Sequence, residues 1–291
     1  MDQKIINLYD RFTHGGMNRR EFLDRLGELA GSAAAAAALL PLLQNDYAQA
    51  AIVPDNDPRL AAERVSYDSP KGKVNGYLVR AKAKGKRPTV IVIHENRGLN
   101  PHLEDVARRL AVEGYLAFVP DLLSVAGGTP ASEDAARDLH AKANKDDMLA
   151  AALAAVPFAQ KHAESTGKVG TVGFCYGGGV VNQLAVGSPD LIAAVAYYGV
   201  QPPAAQVPNI KAALLLQYAE KDDRVNAGIA AYEAALKANN KKYTIHMYSG
   251  TQHAFNNDTG AARYNKAAAD LAWSRTLAFF AEHLGAPPKA A

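Results

Sequence analysis

The chain has 291 residues, 48% of them hydrophobic and 21% charged, which is ordinary for a globular enzyme and long enough to bury a large core. Its formal charge of +3 is scattered, with lysines on helices and at 82–87 and no accompanying aromatic stripe, so the surface is a solvated one and no nucleic-acid partner is expected. A single cysteine can form no intramolecular disulfide and is equally compatible with the cytoplasm and with an exported state.

Residues 1–50 differ in character from the rest. Asn18-Arg19-Arg20-Glu21-Phe22-Leu23 precedes an Ala/Leu-rich stretch at 26–43, and Ala48-Gln49-Ala50 offers the small residues that a signal peptidase needs. The pattern resembles a twin-arginine export signal, which would make the twin-arginine machinery a partner and the periplasm or exterior the destination. Asp24, Glu28, the missing Ser or Thr before the arginines and the long leader ahead of them speak for the alternative. In that alternative the segment is a helical extension that stays on a cytoplasmic protein and packs against it. Glu28 and Pro41 interrupt the apolar stretch, so stable membrane insertion is not expected.

From Glu63 onward the pattern reads as a hairpin followed by alternating strands and helices. Residues 65–68 pair with 74–79 across the turn at 70–73, and strands at 89–93 and 116–119 flank a helix at 103–113. Residues 127–138 are polar and read as a loop, either a cap over a site or a plain surface connection. A helix at 146–162 leads to a strand at 169–172. Further strands fall at 191–198, 212–218 and 243–248, with helices at 229–238 and 262–283. No internal repeat is present. This alternation predicts an α/β domain over 51–291 with a mainly parallel central sheet and helices on both faces.

The chemistry centres on Gly173-Phe174-Cys175-Tyr176-Gly177-Gly178, between an apolar strand and a glycine-rich helix start. Glycines two before and two after the cysteine suit a nucleophile elbow, where the strand turns so sharply into a helix that only small neighbours fit. The helix N-terminus beyond it favours a thiolate over a thiol. The bland alternative is a small apolar cysteine filling the core. A phosphate loop fails because no Gly-Lys-Ser/Thr ending follows.

An orienting acid and a base are expected after later strands, in that order. Asp222 and Asp223 follow the strand at 212–218, and Asp222 is preferred because it is nearer the strand end; His253 follows the strand at 243–248. Of the other seven histidines, His14, His102, His140, His162, His246 and His283 read mostly as structural or exposed. His94 begins a polar cluster, His94-Glu95-Asn96-Arg97-Gly98, at the same sheet edge as Cys175. No His-Glu-x-x-His or paired Cys/His spacing occurs, so no metal is expected.

Gly-x-Cys-x-Gly-Gly, a glutamate just after an early strand, Asp222 and His253-Ala254-Phe255 together resemble the dienelactone hydrolase (carboxymethylenebutenolidase) family, over residues 67–284. The resemblance implies an α/β-hydrolase fold without a cofactor or metal. It also implies Cys175 as nucleophile, His253 as base, Asp222 as its partner and Glu95 as the acid against the resting thiol. The backbone N–H groups of Asn96 and Tyr176 would form the oxyanion hole. The residues alone leave open a salt bridge from Glu95 to Arg97 or Arg108 as the alternative. Ala254 stands where the family more usually has glycine. The two arginines that hold a substrate carboxylate in the family have no counterpart in 122–128 or 256–259, and asparagine does not replace a guanidinium clamp. Arg97 is the candidate substitute.

The sequence therefore predicts an esterase or lactonase acting on a small-molecule ester or lactone through a thioester on Cys175. A non-catalytic binding protein, or a thiol redox sensor on the same fold, is the alternative.

Overall fold

The computed structural model describes residues 1–47 and 51–291. Eight strands form one sheet: β1 Leu60–Ser69, β2 Gly72–Ala81, β3 Arg87–Ile93, β4 Leu116–Pro120, β5 Ser165–Phe174, β6 Ala193–Tyr197, β7 Ala213–Lys221 and β8 Tyr243–Gln252. Their spatial order is β1-β2-β4-β3-β5-β6-β7-β8. β1 pairs antiparallel with β2 through Tyr67↔Val74, and β2 antiparallel with β4; every pairing from β4 to β8 is parallel. The expected hairpin, mainly parallel sheet and two-sided helix cover are all present.

The helices are α1 Gln3–Thr13, α2 Arg19–Ala30, α3 Ala33–Leu43, α4 Pro101–Val112, α5 Glu133–Lys142, α6 Lys145–Lys161, α7 Tyr176–Gly187, α8 Asp223–Asn226, α9 Ile229–Ala238 and α10 Lys266–Leu284. Alternation along each strand sends side chains to opposite faces. Ile91, Ile93, Leu214 and Leu216 pack with Met148 and Val156 of α6, Leu184 of α7 and Leu236 of α9. Val90, Val92, Val195 and Leu215 pack with Leu103 and Leu110 of α4 and Phe280 and Leu284 of α10.

Two stretches depart from the sequence reading. Residues 133–138, expected as loop, belong to α5: Ser132 Oγ accepts from Ala135 N, and Glu133 and Asp134 lie in the first turn, where the helix dipole favours anions. The apolar stretch 26–43 is two helices bent by 110°, because Gly31 ends α2 in the left-handed region and Ser32 caps α3. Among the described residues no single helix is long and apolar enough to cross a membrane. The expected peptidase site at Ala48-Gln49-Ala50 lies outside the described residues.

Helices α1 to α3 form a small core of their own from Tyr9, Phe12, Phe22, Leu26 and Leu43, with Ala262 of the main domain against it. The Phe12 and Phe22 rings stack at 4.3 Å, and the Arg137 guanidinium covers Phe12 at 4.3 Å. Gln3 bonds to Gln252, Arg19 pairs with Asp134, and Asp46 N donates to Thr259 O. Polar seams of this kind hold the extension onto the main domain.

Candidate active site

The four strands that carry the candidate residues end on one edge of the sheet, where open α/β sheets place their sites. Cys175 follows β5 at φ 58°, ψ −118°, a conformation that a non-glycine residue adopts only under strain. The elbow closes by Cys175 N donating to Tyr197 O and Gly179 N to Cys175 O. Its glycines are required by contact: a Cβ on Gly173 would stand 2.3 Å from Gly177 O, one on Gly177 2.3 Å from Ile93 O, and one on Gly178 2.5 Å from Tyr197 O.

His253 Nδ1 lies 2.5 Å from Asp222 Oδ2, both residues being buried. Asp222 also caps α8, whereas Asp223 is exposed, which settles which of the two faces the imidazole. Among the described residues, His253 Nε2 is buried without a hydrogen-bond partner. Ala254 has φ 67°, the left-handed region, which explains why glycine suits this position better.

A cavity of about 1080 Å³ opens over the sulfur, and Asn96, Cys175, Tyr176 and Tyr198 contribute to its wall. The expected oxyanion-hole residues thus share the cavity with the nucleophile candidate. Tyr176 is the first residue of α7, where a backbone N–H has no partner within the helix.

Glu95 and Arg97 are placed differently from expectation. Glu95 Oε2 accepts from Asn257 Nδ2 at 3.0 Å, and the group hydrogen-bonded to the sulfur is His14, with Nε2 at 3.2 Å from Sγ. Arg97 pairs with Glu133 of α5 and donates to Tyr9 Oη at 3.2 Å. It is buried and lines neither cavity found near the sulfur. Its charge is already matched by Glu133. Just before the first of the two segments that lack the family arginines, Asp121 caps the turn after β4 and accepts from Thr129, while in the second Asp258 pairs with Arg109 at 2.6 Å and His102 at 3.0 Å. His94, singled out for its position, accepts from Leu122 N through Nε2 at 3.0 Å and is buried as a neutral ring.

The electrostatics favour a thiolate. Burial by itself would raise the Cys175 pKa, but the cations of His14 and then His253 overcome it and hold the thiol at about 6. Burial opposes charge on His14 too, yet the thiolate and the bond to Asp10 raise it to about 9. His253 is likewise raised, against burial, by the thiolate and then by Asp222. Sγ and one nitrogen of each ring lie within 4.8 Å of one another. The hydrogen bond from His14 to Sγ and the contact of His253 with Asp222 hold these atoms together.

Sequence reasoning missed His14. The one signal available was the i, i+4 spacing of Asp10 and His14, which puts both on one helix face.

The profile of the "Dienelactone hydrolase family" matches residues 74–284, and that of a "YqhI-like" family matches residues 1–31. A protein of Escherichia coli (strain K12), "Putative hydrolase fragment YghX", is 53% identical over 107 residues, covering 36% of this chain and 92% of its own. A "Putative carboxymethylenebutenolidase" of Saccharolobus solfataricus is 30% identical over 255 residues, 75% of this chain and 97% of its own. The crystal structure titled "Putative Dienelactone Hydrolase" from Klebsiella pneumoniae superposes with a TM-score of 0.69 at 31% identity, covering 77% of this chain and 99% of that one. With the family profile spanning most of the chain and the fold matching over 77% of it, the protein is a hydrolase of the dienelactone hydrolase family, within the α/β-hydrolase superfamily.

Proposed function

We propose that the protein hydrolyses a small carboxylic ester or lactone through a thioester on Cys175, with His253 relaying protons and Asp222 orienting it. The observation that carries this reading is the His253–Asp222 contact at 2.5 Å beside a depressed thiol on a strained elbow. The thiolate attacks the carbonyl carbon, an S–C bond forms and the carbonyl electrons move to oxygen. The backbone N–H groups of Asn96 and Tyr176 receive that oxyanion, each donor being worth on the order of 3 kcal/mol. Collapse breaks the C–O bond to the leaving group, which takes the proton from His253 Nε2. Neutral His253 then removes a proton from water as it attacks the thioester. The C–S bond breaks, the thiolate returns and the acid is released.

The cavity favours a substrate with an anionic end. Arg19, Arg137 and Arg224 on its wall have carboxylate partners, whereas Lys145 has none within salt-bridge distance among the described residues. Its ammonium lies 5.6 Å from the ring centre of Tyr176, next to the nucleophile. A carboxylated lactone, as the names of the carboxymethylenebutenolidase relatives imply, would present its carboxylate there.

This reading keeps residues 1–47 on the working protein, since a leader cleaved near residue 50 would take part of the cavity wall with it. Export through the twin-arginine route with cleavage predicts instead a mature chain that starts beyond that point. The amino-terminal sequence of the protein isolated from cells distinguishes the two.

The test is p-nitrophenyl acetate hydrolysis by the full chain beside Cys175→Ala and His253→Ala, with the intact mass recorded after a rapid quench. Loss of activity in both variants and an acyl adduct on Cys175 support the reading. Equal rates in all three folded proteins overturn it and favour a binding protein or a thiol sensor.

A further inference from the structure

We propose that His14 is a catalytic residue of this site and that the amino-terminal helix carrying it is a working wall of the active site. The inference rests on the thiol-hydrolase reading above and adds to it a second imidazole, from a part of the chain outside the region matched to the dienelactone hydrolase family.

His14 caps α1 one turn after Asp10. Asp10 holds Nδ1 twice, through its carbonyl at 2.7 Å and its carboxylate at 3.2 Å, so Nδ1–H donates and the ring direction is set. Nε2 is then presented to Cys175 Sγ at 3.2 Å. The ring meets that of His253 edge-on, 5.0 Å between centres. The sulfur therefore stands between two Asp–His pairs, Asp222–His253 from the main domain and Asp10–His14 from the extension.

The helix is seated by contacts that do not involve the sulfur. Thr13 O accepts from Asn96 Nδ2 at 2.7 Å, tying the end of α1 to the loop that faces the oxyanion position. Tyr9 Oη accepts from Arg97, whose guanidinium pairs with Glu133. Phe12, Thr13 and His14 line the cavity. Withdrawal of α1 would open the site and remove the His14 hydrogen bond to the sulfur together.

With Nδ1 committed, protonated His14 donates Nε2–H to the thiolate. The sulfur's negative charge is consumed when the S–C bond forms and restored when it breaks, and His14 stabilises it at both ends of the cycle while keeping its own proton. Proton relay belongs to His253 alone. Arg224 Nη2 also lies 3.2 Å from Nε2, so a neutral His14 would accept from Arg224 and no longer donate to the sulfur. The charged groups facing His14 are thus Asp10, Arg224, Cys175 and His253. The effect on the thiol is opposite to that of a carboxylate in the same place: a cation keeps the sulfur ionised at rest, where an anion would suppress ionisation.

The test uses the full chain, with His14→Gly and Asp10→Asn beside the unaltered protein, each checked for folding by circular dichroism. Because Cys175 is the only cysteine, alkylation by iodoacetamide reports on it alone. His14→Gly is expected to slow alkylation at neutral pH roughly three- to tenfold, to reduce the thiolate absorbance in the ultraviolet and to lower kcat more than it raises KM. Free imidazole, entering the space left by the ring, is expected to restore part of both rates. Asp10→Asn should act in the same direction more weakly, and it carries the test if His14→Gly does not fold. Unchanged alkylation and thiolate absorbance in a folded variant, or a loss of hydrolysis that imidazole does not rescue, would overturn the proposal. Failure of the underlying reading looks different: Cys175→Ala would keep hydrolysing the ester while alkylation of the unaltered protein still depended on His14.

Discussion

His14 Nε2 and Cys175 Sγ are 3.2 Å apart although 161 positions separate them in the chain. The contact joins the amino-terminal extension to the strand-helix elbow, and it sets the charge state from which the reaction starts.

The pH dependence follows from that contact. The Cys175 pKa is lowered in the fold to about 6, so its stabilisation is present above the unfolded value and lost as pH falls through about 6. The His14 pKa is raised to about 9, so its stabilisation is present below the unfolded value and lost as pH rises through about 9. Thiolate and imidazolium coexist between the two. A plot of kcat/KM against pH should rise through about 6 and fall beyond about 9, the limbs belonging to the coupled cluster as a whole. A flat profile across that window would contradict this account of the charge state.

Asp222→Asn should leave the fold intact and lower kcat roughly 10³- to 10⁴-fold, because the amide no longer fixes the tautomer or stabilises the imidazolium. Asp223→Asn, an exposed change, should stay within about twofold of the unaltered protein. Parallel kinetics on the two variants checks the assignment, and equal losses would show that the acid is wrongly chosen.

Gly177→Ala would drive a methyl group to 2.3 Å from Ile93 O and 2.6 Å from His94 O. Backbone on a central strand cannot give way cheaply, so a cost of about 3 kcal/mol or more and loss of activity are expected. Thermal unfolding measures it; a melting temperature near that of the unaltered protein would mean that the elbow is looser than described.

Substrate charge recognition separates Lys145 from Arg97. Lys145→Ala should raise KM for carboxylated esters roughly tenfold and leave that for neutral esters unchanged. Arg97→Ala strips a partner from Glu133 and Tyr9, and its expected effect is on stability, about 2–3 kcal/mol in denaturant unfolding. A selective KM effect from Arg97 would reverse the two roles.

Much of this was legible in the sequence wherever the constraint is local. The glycines around Cys175 announce a turn that no side chain could occupy, and strand periodicity puts Asp222 and His253 just past strand ends. The helix at 133–142 was legible too, from Ser132, Glu133 and Asp134, but its polarity read as loop. That omission bears on Arg97: beside Glu95 in sequence it looks available to substrate, and only α5 supplies the Glu133 that pairs with it. The stretch 26–43 read as one apolar segment because composition does not register the bend at Gly31 and Ser32.

By itself the sequence determined the mainly parallel α/β sheet, the elbow at Cys175 and the places of Asp222 and His253 just past strand ends, since these rest on steric fit and on periodicities that neighbouring residues carry. Tertiary structure alone decided which groups surround the sulfur. Glu95 turns to Asn257, and His14 arrives from the extension. No residue near Cys175 in the chain encodes that approach. It depends on where α1 docks, and docking is the sum of contacts such as Thr13 with Asn96 and Phe12 with Arg137, whose partners are brought together only when the sheet and α5 have formed.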